Sequence, residues 1–177
     1  KHCTIVHIDI DASEINKVKA AHLPVVSDLK FALGELLQIA EAPDDLGPWH
    51  KKIEAWKKAD PLDYDHDSKH ILPQHAIQTL WKLTKDRDPI ICTGVGQHQM
   101  WSAQFYKFRR ARRWLTSAGL ATMGFGLPAA VGAKAANPDR LVIDIDGDGS
   151  MLMNIQEMAT CHCEKLPVKV MLLNNMH

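Results

Sequence analysis

With 177 residues, 46% of them hydrophobic and 24% charged, the chain is long and apolar enough to bury a core, which excludes disorder for most of its length. Lys plus Arg balances Asp plus Glu at 21 each, so no overall field favours nucleic acid or an anionic membrane. No apolar run approaches the roughly 18 residues of a membrane span, and the first residues do not read as a signal or transit segment.

From the start, Ile5-Val6-His7-Ile8-Asp9-Ile10-Asp11 alternates and is rich in β-branched residues, predicting a strand that ends on two acids. A short helical turn follows through Glu14 and Ile15, then a connecting strand around Val25-Val26. Ser27 precedes an amphipathic run with Leu29, Ala32, Leu33, Leu36, Leu37 and Ala40 on one face, the spacing of a capped helix. Residues 1–42 thus form a βα unit. From Pro43 the composition shifts to Asp, Pro, Lys and His, so 43–72 reads as a linker. It carries one short helix, with Trp49, Ile53 and Trp56 packing it onto a domain.

A second domain is expected over 73–177. Pro73 suits the first position of a helix whose apolar face is Ala76, Ile77, Leu80, Trp81 and Leu83. Pro89-Ile90-Ile91-Cys92-Thr93 is the next strand, and Gly94-Val95-Gly96-Gln97-His98 follows at its carboxyl end, where two glycines permit close backbone approach to a ligand. Arg109, Arg110, Arg112 and Arg113 read as a solvated surface turn. Trp114-Leu115-Thr116 is a short strand, and Gly119 to Gly126 leads into an Ala-rich helix started by Pro128. Helix and strand alternate throughout, which predicts an α/β fold with a doubly wound parallel sheet and right-handed crossovers.

Residues 141–177 organise the rest. Leu141-Val142-Ile143-Asp144-Ile145 and Val168-Lys169-Val170-Met171-Leu172-Leu173 read as buried parallel strands joined by a helix. The first ends at Asp146-Gly147-Asp148-Gly149-Ser150 and the second at Asn174-Asn175. In such sheets ligands collect beyond the carboxyl ends of the strands, so Asp148 and Asn175 should converge. Asp146 should face the same side one pleat further back. A carboxylate, an amide oxygen and a backbone carbonyl make a half-shell suited to Mg²⁺, which completes its octahedron with phosphate oxygens and water. Cys161-His162-Cys163 is a poor zinc site, because neighbours two apart on a helix diverge, and the four irregularly spaced cysteines read as reduced thiols.

Together, Gly94 to Trp101, Met123-Gly124-Phe125-Gly126-Leu127-Pro128, Asp144 to Ser150 and Asn174-Asn175 resemble the thiamin-diphosphate enzymes, and within them the plant-type acetohydroxyacid synthase (acetolactate synthase) family. The resemblance runs from His7-Ile8-Asp9-Ile10-Asp11 almost to the end, across the end of an FAD-contacting domain, a linker and the start of a cofactor-binding domain. It implies Mg²⁺ held by Asp148, Asn175 and the carbonyl of His177, and a diphosphate held by Val95, Gly96, Gln97, His98, Gly149 and Ser150. It also implies an aminopyrimidine held by the backbone of Ala121 and Met123, and FAD without net redox role at Asp9, Ile10, Asp28 and Leu29. Gln97 and Met123 would lie nearest the chemistry, Met123 wedged between the cofactor rings, although a Met in that setting also fits plain core packing.

The implied reaction decarboxylates pyruvate and passes a two-carbon unit to pyruvate or 2-ketobutyrate, the first common step toward the branched-chain amino acids. The implied assembly is a homo-oligomer, dimer or tetramer, whose partner subunit supplies an activating glutamate, with a regulatory subunit besides. The setting would be plastid stroma in a plant or alga and cytoplasm otherwise. On this reading the chain is an internal piece of a longer protein and inactive alone. Ala118, Ala121 and Met151 stand where the family usually has Gly, Gly and Phe, and a Cβ at 121 would crowd the pyrimidine if that residue adopts positive φ. Rival readings are a pyruvate oxidase or glyoxylate carboligase type enzyme and a non-catalytic α/β nucleotide module.

Overall fold

Parallel pairing of short β-branched strands organises both halves of the chain. The computed structural model describes residues 3–42, 45–59 and 61–175, and falls into two units, 1–61 and 62–177. Pro43, Asp44, Asp60, Met176 and His177 lie outside the described residues, so the expectations placed on Pro43 and His177 do too.

In the first unit β1 (Val6–Asp9) pairs in parallel with β2 (Leu23–Val26), Ile8 opposite Val25. A 3-10 turn over Ala12–Glu14 lies between them, capped by the Asp11 carboxylate, which accepts from Ser13 N at 2.8 Å. Helix α1 (Leu29–Ile39) is capped not by Ser27 but by Asp28, whose Oδ1 accepts from Phe31 N at 3.0 Å. Ser27 instead donates to the Asp28 carbonyl. A carboxylate both reaches the third helical N–H and complements the positive end of the helix, so it takes the role. Helix α2 (Gly47–Ala59) carries the two tryptophans, which pack edge to face on each other at 5.5 Å with Lys52 Nζ 5.0 Å from the Trp56 ring. Both rings stay about half exposed, so their chief partner is each other, two helical turns apart.

The second unit alternates α3 (Pro73–Thr84), β3 (Ile90–Thr93), α4 (Gln97–Phe105), β4 (Trp114–Thr116), α5 (Gly126–Ala136), β5 (Val142–Gly147), α6 (Asp148–Met153), α7 (Glu157–Cys163) and β6 (Lys169–Leu173). Its sheet is wholly parallel in the order β4-β3-β5-β6. One face buries Ile77, Ile91, Phe105, Ile143 and Ile145; the other buries Ile90, Cys92 and Val142 under Ala130 and Ala133 of α5. Full burial of an isoleucine such as Ile77, Ile91 or Ile145 contributes about 1.5–3 kcal/mol, so these three anchor the sheet. Small residues on α5 let it lie close against β3 and β5.

The segment between β5 and β6 is two helices, not one. At Asn154 (φ −134°) the helix breaks, and its side chain donates to the Gly124 carbonyl at 2.8 Å. A tertiary bond thus replaces continuation of the helix. At the amino end of the sheet, Asp88 receives Arg113 (Nε to Oδ1 and Nη2 to Oδ2, each 3.0 Å) and Arg140 (Nη1 to Oδ2, 2.8 Å). Part of the arginine cluster is therefore built into the fold.

Candidate active site

The chain leaves β3, crosses to β4, and returns past β3 to β5, so the order reverses between β3 and β5. That switch point opens a crevice at the carboxyl edge. Gly96 and Gly147 line it, and neither Gly147 nor Gly94, packed against β5, has room for a side chain. A Cβ on Gly94 would lie 1.9 Å from Asp146 Oδ1 and 2.3 Å from Ser150 Oγ, and one on Gly147 would lie 2.8 Å from His98 Nδ1. Gly96 also has φ +151°, which other residues rarely adopt. Helices α4 and α6 both start here on a glycine with no side-chain cap, leaving backbone N–H groups for a ligand.

The open cleft, about 180 Å³, is lined by Val95, Gly96, Gln97, His98, Met123, Asp148, Gly149, Ser150 and Asn175, together with Trp101, Gly147 and Leu173. Asp148 begins α6, and Asn175 lies just beyond β6. Asn175 donates to Gln97 Oε1 at 3.0 Å, tying the ends of β6 and α4. Gln99 turns the other way, to Thr116 Oγ1 at 2.7 Å and the Ser117 carbonyl at 3.2 Å, and so holds α4 to β4. Within Gln97-His98-Gln99, then, the first two residues face the cleft and the third is a brace.

Ser150 is buried, and its Oγ accepts from Gly124 N at 3.0 Å, so the hydroxyl ties α6 to the 117–125 loop as well as bordering the cleft. Met123 is 43% exposed and belongs to neither buried cluster, which removes plain core packing as its explanation. Ala121 is not among the lining residues and adopts φ +54°. The condition under which its Cβ matters is therefore met, at a cost on the order of 1 kcal/mol. Asp9, Ile10, Asp28 and Leu29 lie in the first unit, where Asp9 Oδ1 accepts from Asp11 N and Asp28 caps α1.

Sequence reasoning undervalued Asp144 and Asp146. Both are fully buried on β5, and both oxygens of Asp144 and Oδ2 of Asp146 lack a hydrogen-bond partner among the described residues. Burial pushes the Asp144 carboxyl up to about 8, and the charge of Asp146 adds to the shift. Burial, with the Asp144 charge, likewise pushes the Cys92 thiol up to about 12. The signal was present in the sequence: two acids inside an otherwise apolar parallel strand are costly unless the site uses them. Among the described residues no three His, Cys, Asp or Glu side chains gather to hold a metal, and no helix is long and apolar enough to cross a membrane.

Comparison with known proteins sharpens this. Residues 94–177 match the family model described as thiamine pyrophosphate enzyme, C-terminal TPP binding domain. The chain is 53% identical to acetolactate synthase 3, chloroplastic, of Brassica napus over 98% of its own length and 27% of that relative. It is 54% identical to acetolactate synthase 1, chloroplastic, of Oryza sativa subsp. japonica, and 53% identical to acetolactate synthase, chloroplastic, of Arabidopsis thaliana, again over 98% of the chain. The chain spans about a quarter of the length of these curated relatives. Residues 94–177 are thus similar to the C-terminal TPP-binding domain of thiamine pyrophosphate enzymes, and the chain is similar along nearly its whole length to plant acetolactate synthases.

Proposed function

We propose that this chain is the part of an acetolactate synthase that holds the diphosphate end of thiamin diphosphate through Mg²⁺. The observation that carries the reading is the meeting of Asp148 and Asn175, from different strand ends, in one glycine-floored cleft with Gln97 and His98. Asp148 and the Asn175 amide oxygen supply hard ligands for Mg²⁺, and the backbone carbonyl of His177 is the third proposed ligand. Val95, Gly96, Gln97, His98, Gly149 and Ser150 border the diphosphate. N–H groups without a side-chain cap at the start of α4 and the absence of side chains at 96 and 147 suit such a group. When bound, the cofactor supplies a nucleophilic thiazolium carbon that also accepts the electrons of decarboxylation.

The residues of this chain contribute geometry. Met123, unbranched and half exposed at the cleft, would hold the cofactor as a wedge between its two rings, and the backbone of Ala121 and Met123 would hold the aminopyrimidine. The Gln97–Asn175 bond keeps the metal side and the diphosphate side at fixed separation. FAD at Asp9, Ile10, Asp28 and Leu29 rests on resemblance alone, since both carboxylates already bond local backbone, and no step is drawn through it. Pyruvate and 2-ketobutyrate as substrates, a homo-oligomer whose partner subunit supplies the activating glutamate, and a regulatory subunit are proposed on the family resemblance, and a plastid setting on the chloroplastic relatives. The full chain should form acetolactate from pyruvate with thiamin diphosphate and Mg²⁺ and without oxygen uptake. Turnover strictly coupled to oxygen consumption would overturn this reading in favour of an oxidase.

A further inference from the structure

We propose that Asp146 is a positioning residue for the phosphate end of the cleft, holding the His98 imidazole so that one edge of the ring addresses the ligand. The proposal rests on the thiamin-diphosphate reading above. His98 is 5% exposed and Asp146 is fully buried, and His98 Nε2 lies 3.2 Å from Asp146 Oδ1. The approach is oblique and does not complete a hydrogen bond here, and bonds of this kind commonly tighten when a site is occupied. Asp146 is itself fixed, because Oδ1 accepts from Gly147 N at 3.0 Å and Gly94 leaves it no space to move toward β3.

The opposite edge of the ring decides the matter. Nδ1 and Cε1 lie between Gly96 and Gly147, both of which border the cleft; a Cβ on Gly96 would stand 3.0 Å from Cε1, and one on Gly147 2.8 Å from Nδ1. Two glycines therefore make room for this edge, while the far nitrogen is turned to a carboxylate. Which nitrogen of a histidine carries the proton is set by the bond the other makes. The buried carboxylate at Nε2 fixes the plane of the ring, so that the Nδ1 edge keeps one orientation toward the cleft. A pair serving stability alone has no need of an edge bared toward the cleft.

The test uses the full chain with Mg²⁺ and titrates thiamin diphosphate and thiamin by calorimetry against wild type, Asp146→Asn, His98→Asn and the double variant. Asparagine matches aspartate in volume, which keeps the packing intact. Asp146→Asn should weaken binding of the diphosphate form roughly tenfold to a hundredfold, leave thiamin binding unchanged, and add nothing on top of His98→Asn. Equal losses in both backgrounds, or equal weakening of thiamin, would overturn the role. Nitrogen-15 spectra of the His98 ring should differ between wild type and Asp146→Asn; unchanged spectra also overturn it. A wild type that binds no thiamin diphosphate overturns the cofactor reading and this role with it, an outcome distinguished from failure of Asp146 alone by the wild-type titration itself.

Discussion

At the amino end of the main sheet, Asp88 is surrounded by guanidinium groups. Arg113 grips it with two bonds of 3.0 Å, Arg140 adds one of 2.8 Å, and Arg113 foremost holds its carboxyl near 2. Inside the sheet, in the middle of β5 and two residues short of Asp146 at the cleft edge, Asp144 has no hydrogen-bond partner among the described residues and its carboxyl sits near 8. The same residue type is thus held charged beside the amino end of the sheet and driven toward neutrality within it. The amino end has its polar groups satisfied by the chain itself; the carboxyl half of the sheet leaves buried oxygens and uncapped helix starts for something else. Polar groups unsatisfied in the core are tolerated where binding or chemistry recovers their cost.

The comparison breaks most directly at Asp148. In the full chain Asp148→Ala should abolish Mg²⁺-dependent retention of thiamin diphosphate, read by calorimetry with and without the metal; wild-type affinity in that variant would leave the carboxyl edge without its ligand. Asp144→Asn tests the energetic half of the contrast. The folded-state pKa of about 8 lies above the unfolded value near 4, so folded protein binds the extra proton and Asp144 erodes stability as pH rises from 4 to 8, with no further loss above. Asp144→Asn should therefore stabilise the protein by on the order of a few kcal/mol at pH 8, with the difference fading toward pH 4. A pH-independent difference in thermal midpoint would contradict the assigned burial.

Met123→Ala sharpens the same edge. Being 43% exposed, Met123 should cost well under the ~2–5 kcal/mol of a core truncation, while proton exchange at the reactive carbon of bound cofactor slows by on the order of a hundredfold. A normal exchange rate would remove it from the site. The smallest effect belongs to the amino edge. Asp88 has a depressed pKa, so its contribution is present above about 4 and lost as pH falls through about 2. Asp88→Asn should lower the thermal midpoint modestly at pH 7, the deficit vanishing in strong acid, with cofactor affinity unchanged.

The alternation of apolar runs and capped helices disclosed the parallel α/β sheet, because strand and helix periods differ and each run was bounded by Gly or Pro. Asp148, Asn175, Gln97 and His98 were legible for a related reason: each sits at a strand or helix end, where topology fixes position. The roles that escaped depend on tertiary contact. Nothing local distinguishes Asp28 from Ser27 as a cap, or marks Asn154 as the place where a helix breaks to reach Gly124. Nor does spacing assign Asp146 to His98, 48 residues away, or Ser150 to Gly124 N.

The strand order β4-β3-β5-β6 also sets an assembly sequence. β3 and β4 can pair first, β5 then joins the free side of β3, and β6 joins β5, so each strand adds at an open edge and none must be inserted between partners already joined. The Gln97–Asn175 bond spans 78 residues and cannot close until β6 docks. Such distant pairing is entropically late. Amide protection during refolding should accordingly appear in β3 and β4 before β6, and capture of a ligand between Asp148 and Asn175 must wait for β6 to dock on β5.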